Sequence, residues 1–105
     1  MGNLGDLMGK ARQMQEKMKI LQDEMGRKQV TAEAGAGMVQ ATVNGRLELV
    51  KLRIDKTKID TADTEMLEDV ITAAVNAAQG KAADMMRAEM QKATADLGLP
   101  PGLLP

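Results

Sequence analysis

The chain of 105 residues has no phenylalanine, tyrosine or tryptophan, no cysteine and no histidine. Each absence removes a class of chemistry. Without cysteine there is neither a disulfide framework nor a thiolate nucleophile, a composition suited to a reducing cytosol. Without histidine the commonest general base, the commonest metal ligand and the usual partner of a serine nucleophile are missing. Without aromatic rings no aromatic side chain is available to stack on nucleic-acid bases, which argues against sequence-specific recognition of single strands or RNA. The largest contributors to buried core area are lost as well. Leu, Val, Ile, Ala and ten Met must fill the core instead. A chain of this length buries only about two thirds of its unfolded surface, so an association that hides further apolar surface is expected.

Long apolar runs are also lacking. No stretch reaches the roughly eighteen apolar residues of a membrane span. The opening "MGNLGDLMGKARQMQEKM" has no apolar core or small-residue cleavage site of a secretory signal. Asp6 stands where a myristoylation signal needs Ser or Thr. A single cytoplasmic domain over residues 1–105 is the expectation.

The fourteen basic and fifteen acidic residues give a net charge of −1, without the basic excess usual in nucleic-acid-binding proteins. They are unevenly spread. Residues 1–28 carry net +2, residues 29–62 net +1 and residues 63–105 net −4.

Leu4, Leu7, Ala11, Met14, Met18, Leu21 and Met25 follow alternating steps of three and four, the spacing of a helical packing seam. The spacing predicts a helix over 3–28. Gly2, Gly5 and Gly9 weaken its first turns, and Gly26-Arg27-Lys28 reads as its stop. Whether the seam faces the chain's own sheet or a second copy stays open. Residues 29–54 then alternate with period two and predict three antiparallel strands in order 1-2-3. Gly35-Ala36-Gly37 permits the first reversal, and Asn44-Gly45 suggests a type I′ turn at the second. Within the third strand the apolar phase jumps from Leu47 and Leu49 to Val50, Leu52 and Ile54, which predicts an irregularity near Leu49–Val50. Asp63, with Asp60 as the alternative, is the expected N-cap of a second helix over 64–96. That helix would be a rod of about 50 Å, longer than a small sheet can cover. Its alanines and Gly80 suggest close approach of another helix. Gly98 and Pro100-Pro101 then introduce an extended tail over 97–105.

No catalytic constellation emerges. The carboxylates Asp63, Glu65, Glu68 and Asp69 are explained by the positive end of a helix dipole. "GAGMVQ" has Gln40 in place of the third glycine of a phosphate loop and leads into a strand. Basic residues cluster in two places: Arg46, Lys51, Arg53, Lys56 and Lys58 in the sheet region, and Lys10, Arg12, Lys17 and Lys19 as a row on the first helix. Either is a solvated face or a phosphate-contacting surface. Met85, Met86 and Met90 form a candidate patch for a partner protein, giving an alternative reading as an interaction module with Met-rich helical arms.

Four stretches, "NLGDLMGKARQMQEKM", "VTAEAGAGMVQATVNG" at 30–45, "EMLEDVITAAVNAA" at 65–78 and "GLPPG" at 98–102, resemble the YbaB/EbfC family of bacterial nucleoid-associated proteins in order and spacing. The resemblance spans nearly the whole chain. It implies an α+β fold, helix–three strands–helix, that forms a homodimer through its sheet with the helices projecting as arms. It further implies binding of duplex DNA, altered DNA conformation, and influence on nucleoid organisation and gene expression. No cofactor, enzymatic activity, small-molecule substrate or membrane partner is implied. Carried over by position, the arms would contact DNA through Lys10, Arg12, Lys17 and Lys19 and through Lys81, Arg87 and Lys92; Arg46, Lys51 and Arg53 are further candidates.

Overall fold

The computed structural model describes residues 3–96 and 98. Its elements are α1 (Leu4–Arg27), β1 (Gln29–Ala34), β2 (Val39–Asn44), β3 (Leu49–Ile54) and α2 (Thr64–Asp96). This is the expected α-β-β-β-α order, with an antiparallel sheet arranged β1-β2-β3. The tail expected over 97–105 lies outside the described residues except for Gly98.

The core comes from one sheet face and one helix stripe. Val39, Ala41 and Val43 alternate along β2 and are fully buried. Ala74, Ala78 and Ala82 of α2, one helical turn apart, are buried against them. Small side chains let the helix axis approach the sheet closely. Gly80, expected at a close helix contact, instead faces open space with nothing non-local within 4 Å of a Cβ placed there. The alanines meet strands, and the glycine meets solvent.

α2 lies over β1 and β2 and leaves β3 largely uncovered. In the β2–β3 register Ala41 pairs with Leu52 and Thr42 with Lys51, but Val43 pairs with Leu49, so Val50 has no partner. That is a bulge at the predicted place. It returns Leu49 to the same face as Leu52, where the two stay 45% and 39% exposed. The opposite sheet face is polar: Thr31, Glu33, Gln40, Thr42, Lys51 and Arg53 alternate outward.

Both reversals differ from simple two-residue turns. Gly35, Ala36 and Gly37 all adopt positive φ, at 63°, 55° and 85°. At Asn44-Gly45 the expected type I′ turn is absent. Leu47 takes the left-handed conformation, φ 64°, and donates its N–H to the Asn44 carbonyl at 3.0 Å. This is a three-residue loop closed by a left-handed residue. The Asn44 side chain holds it by accepting the N–H groups of Arg46 and Glu48 at 2.9 and 3.0 Å. Gly45 is needed for space rather than for φ. A Cβ there would lie 2.5 Å from the Met25 carbonyl carbon, while its N–H donates to the Lys28 carbonyl at 3.1 Å.

That contact anchors α1. Asn3 caps the start of the helix by accepting the Asp6 N–H at 3.0 Å. Its end is extended Lys28, whose N–H reaches the Glu24 and Met25 carbonyls. Gly26, expected as the stop, stays helical and makes room for Arg46, whose Nε would lie 2.8 Å from an added Cβ. Asp63 caps α2, accepting the Met66 N–H at 3.0 Å, whereas Asp60 holds the preceding turn through the Ala62 N–H. Both helices outrun the sheet. The molecule extends 74 Å, and its radius of gyration is 19.8 Å, against about 13 Å for a compact chain of this length.

Candidate nucleic-acid interface

Beyond the sheet, α1 and the distal half of α2 run antiparallel as an arm. Lys28, which caps the end of α1, donates to Glu89 of α2 at 2.7 Å. Further out, Lys17, Met18 and Leu21 border a groove of about 320 Å³ whose far wall is Ala93 and Asp96. Met25 is buried, and Met85, Met86 and Met90 are half-buried. The methionines singled out as a partner patch are therefore already partly covered. α1 continues about 20 Å past the end of α2, taking 1.5 Å per residue, and every residue from Leu4 to Lys17 is exposed.

The candidate cations fall into two groups. Three are engaged. Lys81 Nζ donates to the Thr31 carbonyl at 3.0 Å, closing part of the free edge of β1. Arg87 pairs with Asp84 at 3.2 Å, one turn away on its own helix. Arg46 lies 3.8 Å from Asp23, clamping the β2–β3 turn to α1. Lys10, Arg12, Lys17, Lys19, Lys51, Arg53 and Lys92 have no ion-pair partner among the described residues.

The four on α1 do not form one row. At 3.6 residues per turn, Lys10 and Lys17 share one flank and Arg12 and Lys19 the other, roughly 160° apart, with the apolar seam between them. Lys51 and Arg53 are outward neighbours on β3. Arg53 borders an open depression of about 480 Å³ together with Gln40 and Lys56. Asp55 lies in the same depression, and hydrogen bonds from the Thr57 hydroxyl and N–H hold its carboxyl below the usual range, with Lys58 and Arg53 adding to the effect. A fixed anion thus dilutes the cations of the sheet patch, and Lys58 is turned to the Ala36 carbonyl at 3.3 Å. The outer part of α1, Leu4 to Lys19, has four cations against Asp6 and Glu16.

One residue that shapes the arm has no signature in the sequence. Lys28, expected only to complement a helix end, joins α1 to α2 through Glu89. Its hydrogen bond is the main reason that the Glu89 carboxyl is held below its ordinary value. The partners are 61 residues apart, so no local spacing reveals them.

The described residues include no group of three or more metal-ligating side chains and no helix long and apolar enough to cross a membrane. The described residues thus form a small sheet that carries a cation-bearing helical arm. The chain belongs to the YbaB/EbfC DNA-binding family, whose model matches residues 1–97; this is a family of DNA-binding proteins, not of enzymes. It is 51% identical over 102 residues to a nucleoid-associated protein of Paramagnetospirillum magneticum, covering 97% of this chain and 95% of that one. It is 45% identical over 98 residues to a nucleoid-associated protein of Thermoanaerobacter pseudethanolicus, covering 93% and 88%. In three dimensions it resembles an uncharacterised protein of Helicobacter pylori with a TM-score of 0.71 at 24% identity, covering 84% of this chain and 92% of the other.

Proposed function

We propose that the chain is a cytoplasmic nucleoid-associated protein that binds duplex DNA as a homodimer, with little sequence specificity, and thereby alters DNA conformation, nucleoid organisation and gene expression. The observation that carries this reading is the outer part of α1, where Lys10, Arg12, Lys17 and Lys19 stand on two flanks without ion-pair partners among the described residues. Two cationic flanks on one rod suit the paired phosphate rails of a duplex groove. The names of the bacterial relatives support the same partner. Contacts of this kind are mostly to phosphate, which positions the protein without reading bases.

Dimerisation is supported by β3. It is an edge strand with Leu49, Val50 and Leu52 between 39% and 45% exposed, an arrangement that invites pairing unless something covers it. The polar outer sheet face is a poor alternative interface. A homodimer joined through the β3 edge and its uncovered inner face hides these side chains and sends two arms outward.

Gel-shift titrations over a range of salt test the binding. Affinity is expected to fall steeply with salt, and changing Lys10, Arg12, Lys17 and Lys19 together to Gln lowers the log–log slope by about 0.9 for each phosphate that is no longer neutralised. Lys81→Gln and Arg87→Gln leave the slope nearly unchanged, because those cations are engaged within the protein. A flat salt dependence, or a slope untouched by the fourfold change, refutes the arm as the phosphate-contacting element. Light scattering of Leu49→Asp/Leu52→Asp reads the dimer; a mass unchanged from wild type removes β3 from the interface.

A further inference from the structure

The seam on α1 has a covered half and a bare half. Met18, Leu21 and Met25 are shielded by the sheet and α2. Leu4, Leu7, Ala11 and Met14 are not: Leu4 is 75% exposed and Leu7 63%. Nothing else in the described structure reaches them, since α2 ends at Asp96 beside Met18 and Leu21. A heptad-spaced apolar stripe on a helix that projects about 20 Å into solvent is costly to leave bare.

We propose that this stripe is the docking surface for the chain's own segment 97–105, which lies back along α1 and continues the seam that α2 leaves unfinished. Three observations converge on that occupant. The first is position. Gly98, in the left-handed conformation at φ 70° with its N–H on the Ala95 carbonyl, terminates α2 at the rim of the α1–α2 groove, and α2 runs towards the amino end of α1. The second is length. From Met18 to Leu4 is about 21 Å of helix, and eight residues of Pro-containing extended chain reach about 25 Å. With Gly98 placed near Met18, five further residues bring Leu103 beside Leu7. The third is chemistry. "LGLPPGLLP" carries four leucines and no charged residue. The seam is flanked on both sides by cations, so pairing α1 with a second α1 would oppose like charges. An uncharged strand between the flanks avoids this and leaves Lys10, Lys17, Arg12 and Lys19 facing outward.

Because the natural chain has no cysteine, the docking can be tested by cross-linking without DNA, so its outcome is independent of the DNA-binding reading. In Leu7→Cys/Leu103→Cys under mild oxidation, a disulfide within one chain is expected to form at least about tenfold faster than in the control Gln13→Cys/Leu103→Cys, whose cysteine lies on the far side of the helix; tenfold corresponds to about 1.4 kcal/mol of docking preference. Equal rates overturn the proposal. A disulfide that joins two chains also overturns it and assigns the stripe to a second copy. Hydrogen exchange provides an independent reading in protein without new cysteines. Changing Leu99, Leu103 and Leu104 together to Ser, outside the sheet–helix core, is expected to speed exchange of α1 amides between Met8 and Glu16 by about tenfold. Unchanged exchange there would show that the segment does not cover α1.

Discussion

The two helices are attached to the sheet in opposite ways. The first half of α2 is held by breadth, with Ala74, Ala78 and Ala82 fully buried along three successive turns. α1 is held almost at a point, where Met25 and Gly26 meet Gly45 and Arg46 at the β2–β3 turn. Beyond these attachments the helices support each other through half-buried methionines and the Lys28–Glu89 bridge. The body relies on a tight fit of small side chains, which tolerates little change in volume. The arm relies on flexible, polarizable ones that adapt to neighbours. A stiff base with a compliant arm suits the duplex contact proposed above.

The point attachment is the place where that contrast can be broken most severely. In Gly45→Ala the new Cβ meets backbone atoms of Met25, not the movable end of a side chain. The α1 terminus must withdraw, straining the Gly45–Lys28 hydrogen bond and the Arg46–Asp23 pair. The expected cost is about 3 kcal/mol, or roughly 12 °C in Tm, read by thermal circular dichroism. A melting temperature within a few degrees of wild type would mean that α1 is not fastened there.

This dependence also marks the limit of what the sequence makes legible. Alternation and turn residues reveal the strands, their order and the bulge at Val50, because those signals are local. Asp63 is recognisable as a cap for the same reason. Gly26 and Gly45 are misread when judged as backbone punctuation, since each is required by a neighbour distant in sequence: Arg46 for one, Met25 for the other. The alanines of α2 reveal close packing but not whether a helix or a strand will fill the space. Among the cations, composition marks a basic first helix, and the seven-residue spacings of Lys10 with Lys17 and of Arg12 with Lys19 hold the information that they occupy two flanks. Which cations are engaged is another matter: Lys81 bonds to a carbonyl 50 residues away, and no pattern in the chain announces it.

A smaller effect of opposite sign is expected at the other conspicuous glycine. Gly80 lies on the exposed side of α2, with no non-local atom near the position a Cβ would take and no positive φ. Gly80→Ala removes backbone freedom from the unfolded chain and improves helix propensity, so it should stabilise by about 0.5–1 kcal/mol. Tm then rises by a few degrees. A fall in Tm would indicate that this side of α2 is covered in the assembled protein, and would place a helix or a second copy against it after all.

The smallest effect concerns the bridge that sets the spacing of the arm. Hydrogen bonding and charge from Lys28 hold the Glu89 carboxyl below its ordinary value, with a lesser contribution from Lys92. A depressed folded-state value means that the unfolded chain binds the proton first as pH falls. The stabilising contribution is therefore complete above the ordinary carboxylate range and disappears as pH drops through the lowered value. Both partners are well hydrated, so the effect on global stability is slight and screened by salt. Asp55 is depressed as well and weakens the fold over the same acid interval, so wild-type melting alone does not isolate the bridge. The difference between wild type and Glu89→Gln does. That difference should shrink towards zero as the pH is lowered through the acid range, and should be smaller at every pH in high salt. A constant difference would mean that the carboxylate charge of Glu89 plays no part in holding the arm.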